Sequence, residues 1–549
     1  MTSESTENNL FDDALLTRRG GWRFFMHHHP DASKLTQPGP ESEHLSRFPT
    51  ATLGRAFALA KLGKVAEARW LMDRLLIELP AAKTDDEIGT DVTLVNAHLC
   101  IYEGTPLLEG EIVKLAAIAN ASPDTDDMAR ALGCNLLATA AMNYGDFDGA
   151  QRHADRAAEI FRSARADYGS LHLHAHLGQI RLVRGDLMGA SDQYKQMESI
   201  LSRLGDGTSS LIAVGQVLRS EAAYQMNDLP LAEKLLEQSI DRVEQGDGWF
   251  EILATAHRVR TRLAYARGGL PAALTALARA EAVAEERRMP RLAYLMGIER
   301  VRALSLSDEI DGAAAEMRRI GIDRDNINWD ETEDWALWQG TTFVAVARWL
   351  VRARRSRQAL ELLDPAEDLA IRGGQLLSLA CLRVIRATAY WRLNARIEAT
   401  SALLSAVRLL WGQPFVRFIL EEGAETRTIC QAALDGDHVA SRPTTEQRRR
   451  LSELVHYWVT DDAPRSDRRT ARMTDPDRLR YLELLALGLS NKEIGRTMGV
   501  SVDTVKYHLK GIYRQLKVSS RTQAILQASE LGLIEIGPGP LASGPASTQ

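Results

Sequence analysis

The stretch LHLHAHLGQIRLVRGDLMGASDQYKQMESILSRLG, Leu171 to Gly205, decides the fold. On both sides of Gly185-Asp186, apolar residues recur at three- and four-residue spacing, the pattern of two amphipathic helices. Glycine tolerates left-handed backbone and aspartate caps the helix that follows, so the pair makes a tight turn. Ala190, just beyond that turn, is small enough to let the two helices approach closely. The unit is an αα-hairpin, and its apolar faces require neighbours.

The same phrase recurs along the chain. LGKVAEA ends at Ala68, GDFDGA at Ala150, GDLMGA at Ala190, NDLPLA at Ala232, GGLPAA at Ala273, DEIDGA at Ala313, RSRQA at Ala359 and LNARIEA at Ala399. From Ala150 to Ala313 the steps are 40 to 42 residues. The longer gap from Ala68 to Ala150 holds two periods, with EGTPLLEGEI as a faded middle copy, and the step from Ala313 to Ala359 carries an insertion. Stacking eight or nine such hairpins gives a right-handed solenoid of the tetratricopeptide (TPR) kind, with a period longer than the usual ~34 residues.

The expected fold is therefore all-α. Residues 1–50 read as a partly disordered segment and residues 51–437 as the solenoid. Residues 438–473 are a linker in which RPTTEQRRRLSELVHYWV forms one helix. Residues 474–536 form a separate helical domain, followed by a disordered Gly/Pro/Ser-rich tail at 537–549.

A chain of 549 residues is too long for one core. Its N-terminus, MTSESTENNLFDD, lacks the basic-then-apolar pattern of a signal peptide, and no apolar run approaches the roughly 18 residues of a membrane span. Cys100, Cys134, Cys381 and Cys430 lie far apart with no CxxC pair, which fits buried thiols in a reducing cytoplasm. His27-His28-His29 could bind metal, but no partner ligands are evident, and a solvated run is the preferred reading. There is no phosphate loop, metal quartet, nucleophile elbow or HExxH, so neither catalysis nor a cofactor is expected. Net charge is −6, and residues 442–535 carry 17 Lys+Arg against 12 Asp+Glu, leaving −11 for the remainder. A basic end on an acidic body suggests that the end meets a polyanion.

That end contains GLSNKEIGRTMGVSVDTVKYHLKGIYRQLKV, Gly488 to Val518. Asp475-Pro476 opens a first helix that buries Leu479, Leu482 and Leu485 and ends at Gly488. Ser490 to Glu493 is a capping box for a short second helix through Met498. Gly499 makes the turn, and Ser501 caps a third helix running to about Leu516. At about 100° per residue, Val505, Leu509, Ile512 and Leu516 share one face. Asp503, Lys506, Tyr507, Lys510 and Arg514 share the opposite one. This is the pattern of a helix-turn-helix sized for the major groove, the alternative being an amphipathic helix with a solvated charged face.

The wording of the stretch resembles the LuxR-type (GerE-like) DNA-binding domain, whose pattern runs GLSNKEIA, then VS, then TVKxHxxxIxxKLxV. The resemblance covers Thr474 to Ile536. It implies that Lys506, Tyr507 and Lys510 read bases. It also implies that Lys492, Ser501, Thr504 and Arg521 hold phosphates, with His508 and Arg514 adding backbone contact. The last helix, SRTQAILQASELGLI, matches the family's fourth, which can pair two copies. Asp475-Pro476-Asp477-Arg478 departs from the family's Thr-Pro-Arg-Glu, and Arg480 stands where a glutamate is usual.

Helical repeats leading into such a terminus resemble the maltose-activator family of large regulators. Those proteins carry an ATPase module, yet this sequence has no GxxxxGK[ST]; Gly63-Lys64 is followed by Val65. The implied protein is a bacterial transcription factor, an activator at the nucleoid, with double-stranded promoter DNA and RNA polymerase as partners. A homodimer on DNA and a small-molecule or protein effector on the solenoid are also implied. Trp329, Trp335 and Trp338, around the insertion, either line an effector pocket or pack an irregular repeat. The rival reading is an interaction adaptor with only secondary DNA contact.

Overall fold

The computed structural model describes residues 13–28, 45–79, 87–122, 126–204, 209–322, 336–440, 442–461, 476–500, 502–516, 518 and 520–530. Every regular element among them is helical. The chain divides into two compact units, Met1–Ile429 with His438–Ser441, and Cys430–Asp437 with Arg442–Gln549.

The first unit is a stack of helical hairpins. Successive pairs are Pro49–Lys61 with Val65–Glu78, Glu87–Glu103 with Glu109–Ala119, Asp127–Asn143 with Phe147–Ser163, and Asp167–Val183 with Leu187–Leu204. Ser209–Gln225 then pairs with Leu229–Glu237 and its continuation Ile240–Gln245. The helical run Phe250–Glu286 is broken at Gly269 (φ 63°, ψ −155°), where the sequence pattern places its turn. Pro290–Leu306 with Ile310–Arg319, Ala336–Arg352 with Ser356–Arg372, and Leu376–Arg392 with Arg396–Leu409 complete the array.

The turns repeat one chemistry. Gly145, Gly185 and Asn227 are left-handed (φ 76°, 79° and 60°). The following backbone N–H reaches back to a carbonyl five residues earlier: Asp146 to Ala141 at 2.9 Å, Asp186 to Arg181 at 2.8 Å, Asp228 to Ala223 at 2.9 Å. That bond closes off a helix C-terminus whose carbonyls would otherwise lack donors. The aspartate then turns to the next helix, its carboxylate accepting from the N–H of Gly149 (2.7 Å) or Gly189 (2.8 Å). The alanine ending each phrase, from Ala68 to Ala399, is fully buried in all eight copies.

The hairpins also touch at long range. Gly63 sits against the carbonyls of Gln245 and Gly246, Gly104 against Phe250, and Gly185 against Leu376 and Leu410. Phe147 N–H donates to Gly373 O at 3.2 Å, and Val416 N–H to Gln225 O at 2.9 Å. Each of the first five turns thus rests on chain four to five hairpins further on. The partner of the fifth is a strap, residues 411–423, that follows the last hairpin.

Part of the N-terminal segment is packed. Trp22 and Phe25, in the short helical turn Gly21–Met26, are fully buried. Trp22 Nε1 donates to Asp91 at 2.9 Å, and Arg23 pairs with Asp91 and Asp126. His27 and His28 are exposed, and no metal-binding cluster exists among the described residues. The helix expected after the repeats spans Thr445–Asp461. The expected tail and most of the polar linker lie outside the described residues. No described helix is long and apolar enough to cross a membrane.

Candidate nucleic-acid interface and solenoid cavity

Four helices build the C-terminal unit's small core: Pro476–Ala486, Asn491–Met498, Val502–Leu516 and Arg521–Glu530. Tyr481, Leu482, Leu484, Leu485, Ile494, Val505, Leu509, Ile512, Leu516, Ala524 and Ala528 are buried together. Ser490 and Glu493 cap each other: Glu493 N–H donates to Ser490 Oγ (3.4 Å), and Ser490 N–H to Glu493 Oε2 (2.8 Å). The Ser490 side-chain and backbone hydrogen bonds hold the Glu493 carboxyl below its ordinary range. Gly499, left-handed at φ 69°, lets Val500 N–H reach Gly495 O at 2.9 Å and turns the chain into Val502–Leu516.

On that helix the apolar positions face inward as the wheel requires, while Lys506 and Lys510 are exposed on the other side. Lys492 is exposed on the preceding helix, and Thr504 is half-buried. Tyr507 and Arg514 belong to Val502–Leu516, but their side chains, like Ser501 and Leu479, lie outside the described residues. Two residues have internal duties that sequence reading missed. Arg521 Nη2 donates to the carbonyls of Leu485 and Leu489, both at 2.9 Å, tying the fourth helix to the end of the first. His508 stacks on Tyr481, ring centroids 4.9 Å apart and planes 18° from parallel. Tyr481 was not among the leucines read as core on the first helix, and the ring that stacks on it comes from a helix two further along the chain.

The solenoid unit holds a cavity of about 130 Å³ whose lining includes Gln179, Glu221, Glu251, Arg262, Arg348 and Glu421. Trp329 and Trp335 lie outside the described residues, as does the side chain of Trp338 in helix Ala336–Arg352. Elsewhere the solenoid buries a polar knot that no motif announced. Lys61 Nζ lies 2.9 Å from His172 Nε2, which is 3.1 Å from Asp247 Oδ2. Tyr102 donates to the same carboxylate. Burial lowers Lys61 from 10.5 to about 8 despite the opposing pull of Asp247.

The fold and the exposed basic helix define a class: a helical-repeat body joined to a regulatory helix-turn-helix. Comparison with known proteins makes this particular. The MalT-like TPR region matches residues 91–435, more than half of the 549, and the chain belongs to that family. Residues 479–528 match the luxR family of bacterial regulatory proteins.

A putative HTH-type transcriptional regulator, YhjB of Escherichia coli K12, is 43% identical over 69 residues, covering 13% of this chain and 34% of that protein. The HTH-type transcriptional regulator AlkS of Pseudomonas putida is 45% identical over 53 residues, 10% of this chain and 6% of that one. MalT of Yersinia pestis, also an HTH-type transcriptional regulator, is 24% identical over 204 residues, 34% of this chain and 22% of that one. The chain thus spans about a third or less of the curated relatives it matches. The crystal structure of a Rap protein complexed with competence and sporulation factor superimposes with a TM-score of 0.50 at 12% identity, over 66% of this chain and 99% of that one. That likeness concerns the helical-repeat fold alone.

Proposed function

We propose that the protein is a sequence-specific transcriptional regulator, an activator, whose solenoid senses a small molecule or protein and controls the C-terminal helix-turn-helix. The observation that carries this reading is the helix Val502–Leu516: its apolar face is buried, while Lys506 and Lys510 stand exposed one turn apart on the other side. Lysine can donate to guanine O6 and N7 in the major groove. Tyr507 is the third base-reading residue in this proposal. Lys492, Ser501, Thr504 and Arg514 hold phosphates and set register. Arg521 and His508, already engaged within the unit, serve the backbone by fixing the helices. Two copies on promoter DNA would place recognition helices about one DNA turn apart, with RNA polymerase recruited beside them at the nucleoid.

The test is a genome-wide map of occupied DNA sites in the cells of origin, with Lys506→Ala as control. Sharp peaks lost in the variant are expected. Peaks absent under every growth condition would replace the regulator reading with that of an interaction adaptor.

A further inference from the structure

The charges lining the solenoid cavity are nearly all paired. Arg262 donates to Glu299 at 2.6 and 3.0 Å, and Arg258 is bonded to Glu221. Arg348 donates to Glu422 at 2.6 Å, and Arg302 meets Glu421 at 2.5 Å. Glu251 is different. It is 2% exposed, and its Oε2 has no hydrogen-bond partner among the described residues. Gln179, 8% exposed in the same lining, has Oε1 in the same condition. A buried acceptor left without a donor is destabilising, so two in one cavity point to a donor supplied from outside.

The surroundings select the donor. Burial pushes Glu251 up to about 7, against the pull of Arg291 and a hydrogen bond from Asn143, so its charged form is held at a cost. Cys381, also in the lining, is pushed up to about 12, by burial first and then by Glu421 and Glu422, with Arg348 and Arg262 acting less strongly the other way. A cationic donor would stabilise the ionised form of Glu251 against that burial. Leu182, Val183, Val344, Leu377 and Phe418 supply an apolar wall.

We infer that this cavity binds a small aliphatic amine, its ammonium donating to Glu251 Oε2 and Gln179 Oε1 and its methylenes lying on the apolar wall. At about 130 Å³ the space is close to that of cavities known to hold a benzene-sized molecule, about six heavy atoms. That suits a four-carbon diamine, for whose second ammonium the lining also holds the carboxylates of Glu221 and Glu421, and excludes a folded partner. The inference rests on the sensor reading above and supplies its ligand. Phe418 and Glu421 come from the strap, so the occupant touches the chain that leads out of the solenoid.

The test is calorimetry on the full chain with three probes of matched length: putrescine, 1,4-butanediol and succinate. Putrescine should bind, the diol more weakly, and succinate not at all. Glu251→Gln, a near-isosteric change, should weaken putrescine at least about tenfold while its thermal unfolding stays near that of the parent. No heat from putrescine at millimolar concentration, or equal binding of succinate, would overturn the site, and the probe comparison on the unaltered chain holds even where the variant fails to fold. A promoter gel shift run in parallel separates the two readings. Amine binding that leaves DNA occupancy unchanged refutes the sensor and leaves the cavity assignment standing, whereas absent binding refutes the cavity and leaves the regulator.

Discussion

At the scale of residues, two lysines at similar exposure should behave differently. Lys506 is proposed to meet base edges and Lys492 to meet phosphate. Lys506→Ala is expected to lose discrimination at one base step, about 1–3 kcal/mol, in competition against single-base operator variants. Lys492→Ala should weaken all sequences alike and lower the salt slope by about one. Discrimination left intact in Lys506→Ala would put the register of the helix on DNA elsewhere. Lys61 gives a second prediction. Its folded pKa of about 8 lies below its ordinary 10.5, so the unfolded chain holds the extra proton across that window and stability rises with pH through it. Between pH 7 and 9.5 the gain should be about 2 kcal/mol relative to Lys61→Met/Asp247→Asn, read from denaturant midpoints. Parallel pH profiles for the two proteins would show that Lys61 is charged without penalty.

Among elements, the repeated turn separates a structural aspartate from an ornamental one. Asp146 caps helix Phe147–Ser163 through Gly149 N–H, whereas Asp148 pairs with Arg184 in solvent. Asp146→Ala should cost about 1 kcal/mol and Asp148→Ala no more than about 0.5, measured by chemical denaturation. Equal costs would mean that the cap contributes nothing beyond surface charge.

The same turn explains what was legible in the sequence. Gly-Asp, Asn-Asp and the alanine after them repeat because backbone geometry demands those residue types locally, so hairpins and their period could be read directly. Ser490, Glu493 and Gly499 were legible for the same reason. The arginine pairs of the cavity, the knot around Lys61 and the stacking of His508 on Tyr481 were not. They join residues tens to hundreds of positions apart, and nothing local to Glu299 or Asp247 announces a partner. Of the insertion tryptophans, Trp329, Trp335 and the side chain of Trp338 lie outside the described residues.

Across the whole solenoid, the turns that rest on chain four to five hairpins ahead make distant segments share their stability. A Cβ on Gly373 would stand 2.3 Å from Gly145 O. Gly373→Ala should therefore cost about 1–3 kcal/mol and, in hydrogen exchange, deprotect residues 141–149 together with residues 370–376. Deprotection confined to the mutated turn would show that the contact carries no energy.

Those long-range seats also bear on how such a protein can change over generations. A simple stack can gain or lose a unit by duplication or deletion, because each unit recognises only its neighbours. Here, removing a forty-residue hairpin between residues 79 and 244 would bring Gly63 opposite the wrong carbonyls, and removing one between residues 247 and 410 would bring Val416 opposite something other than Gln225. The number of units is therefore locked by interlocking, much as teeth fix the gearing of a wheel. Lineages carrying this array should vary at its ends and on its surfaces while keeping the count.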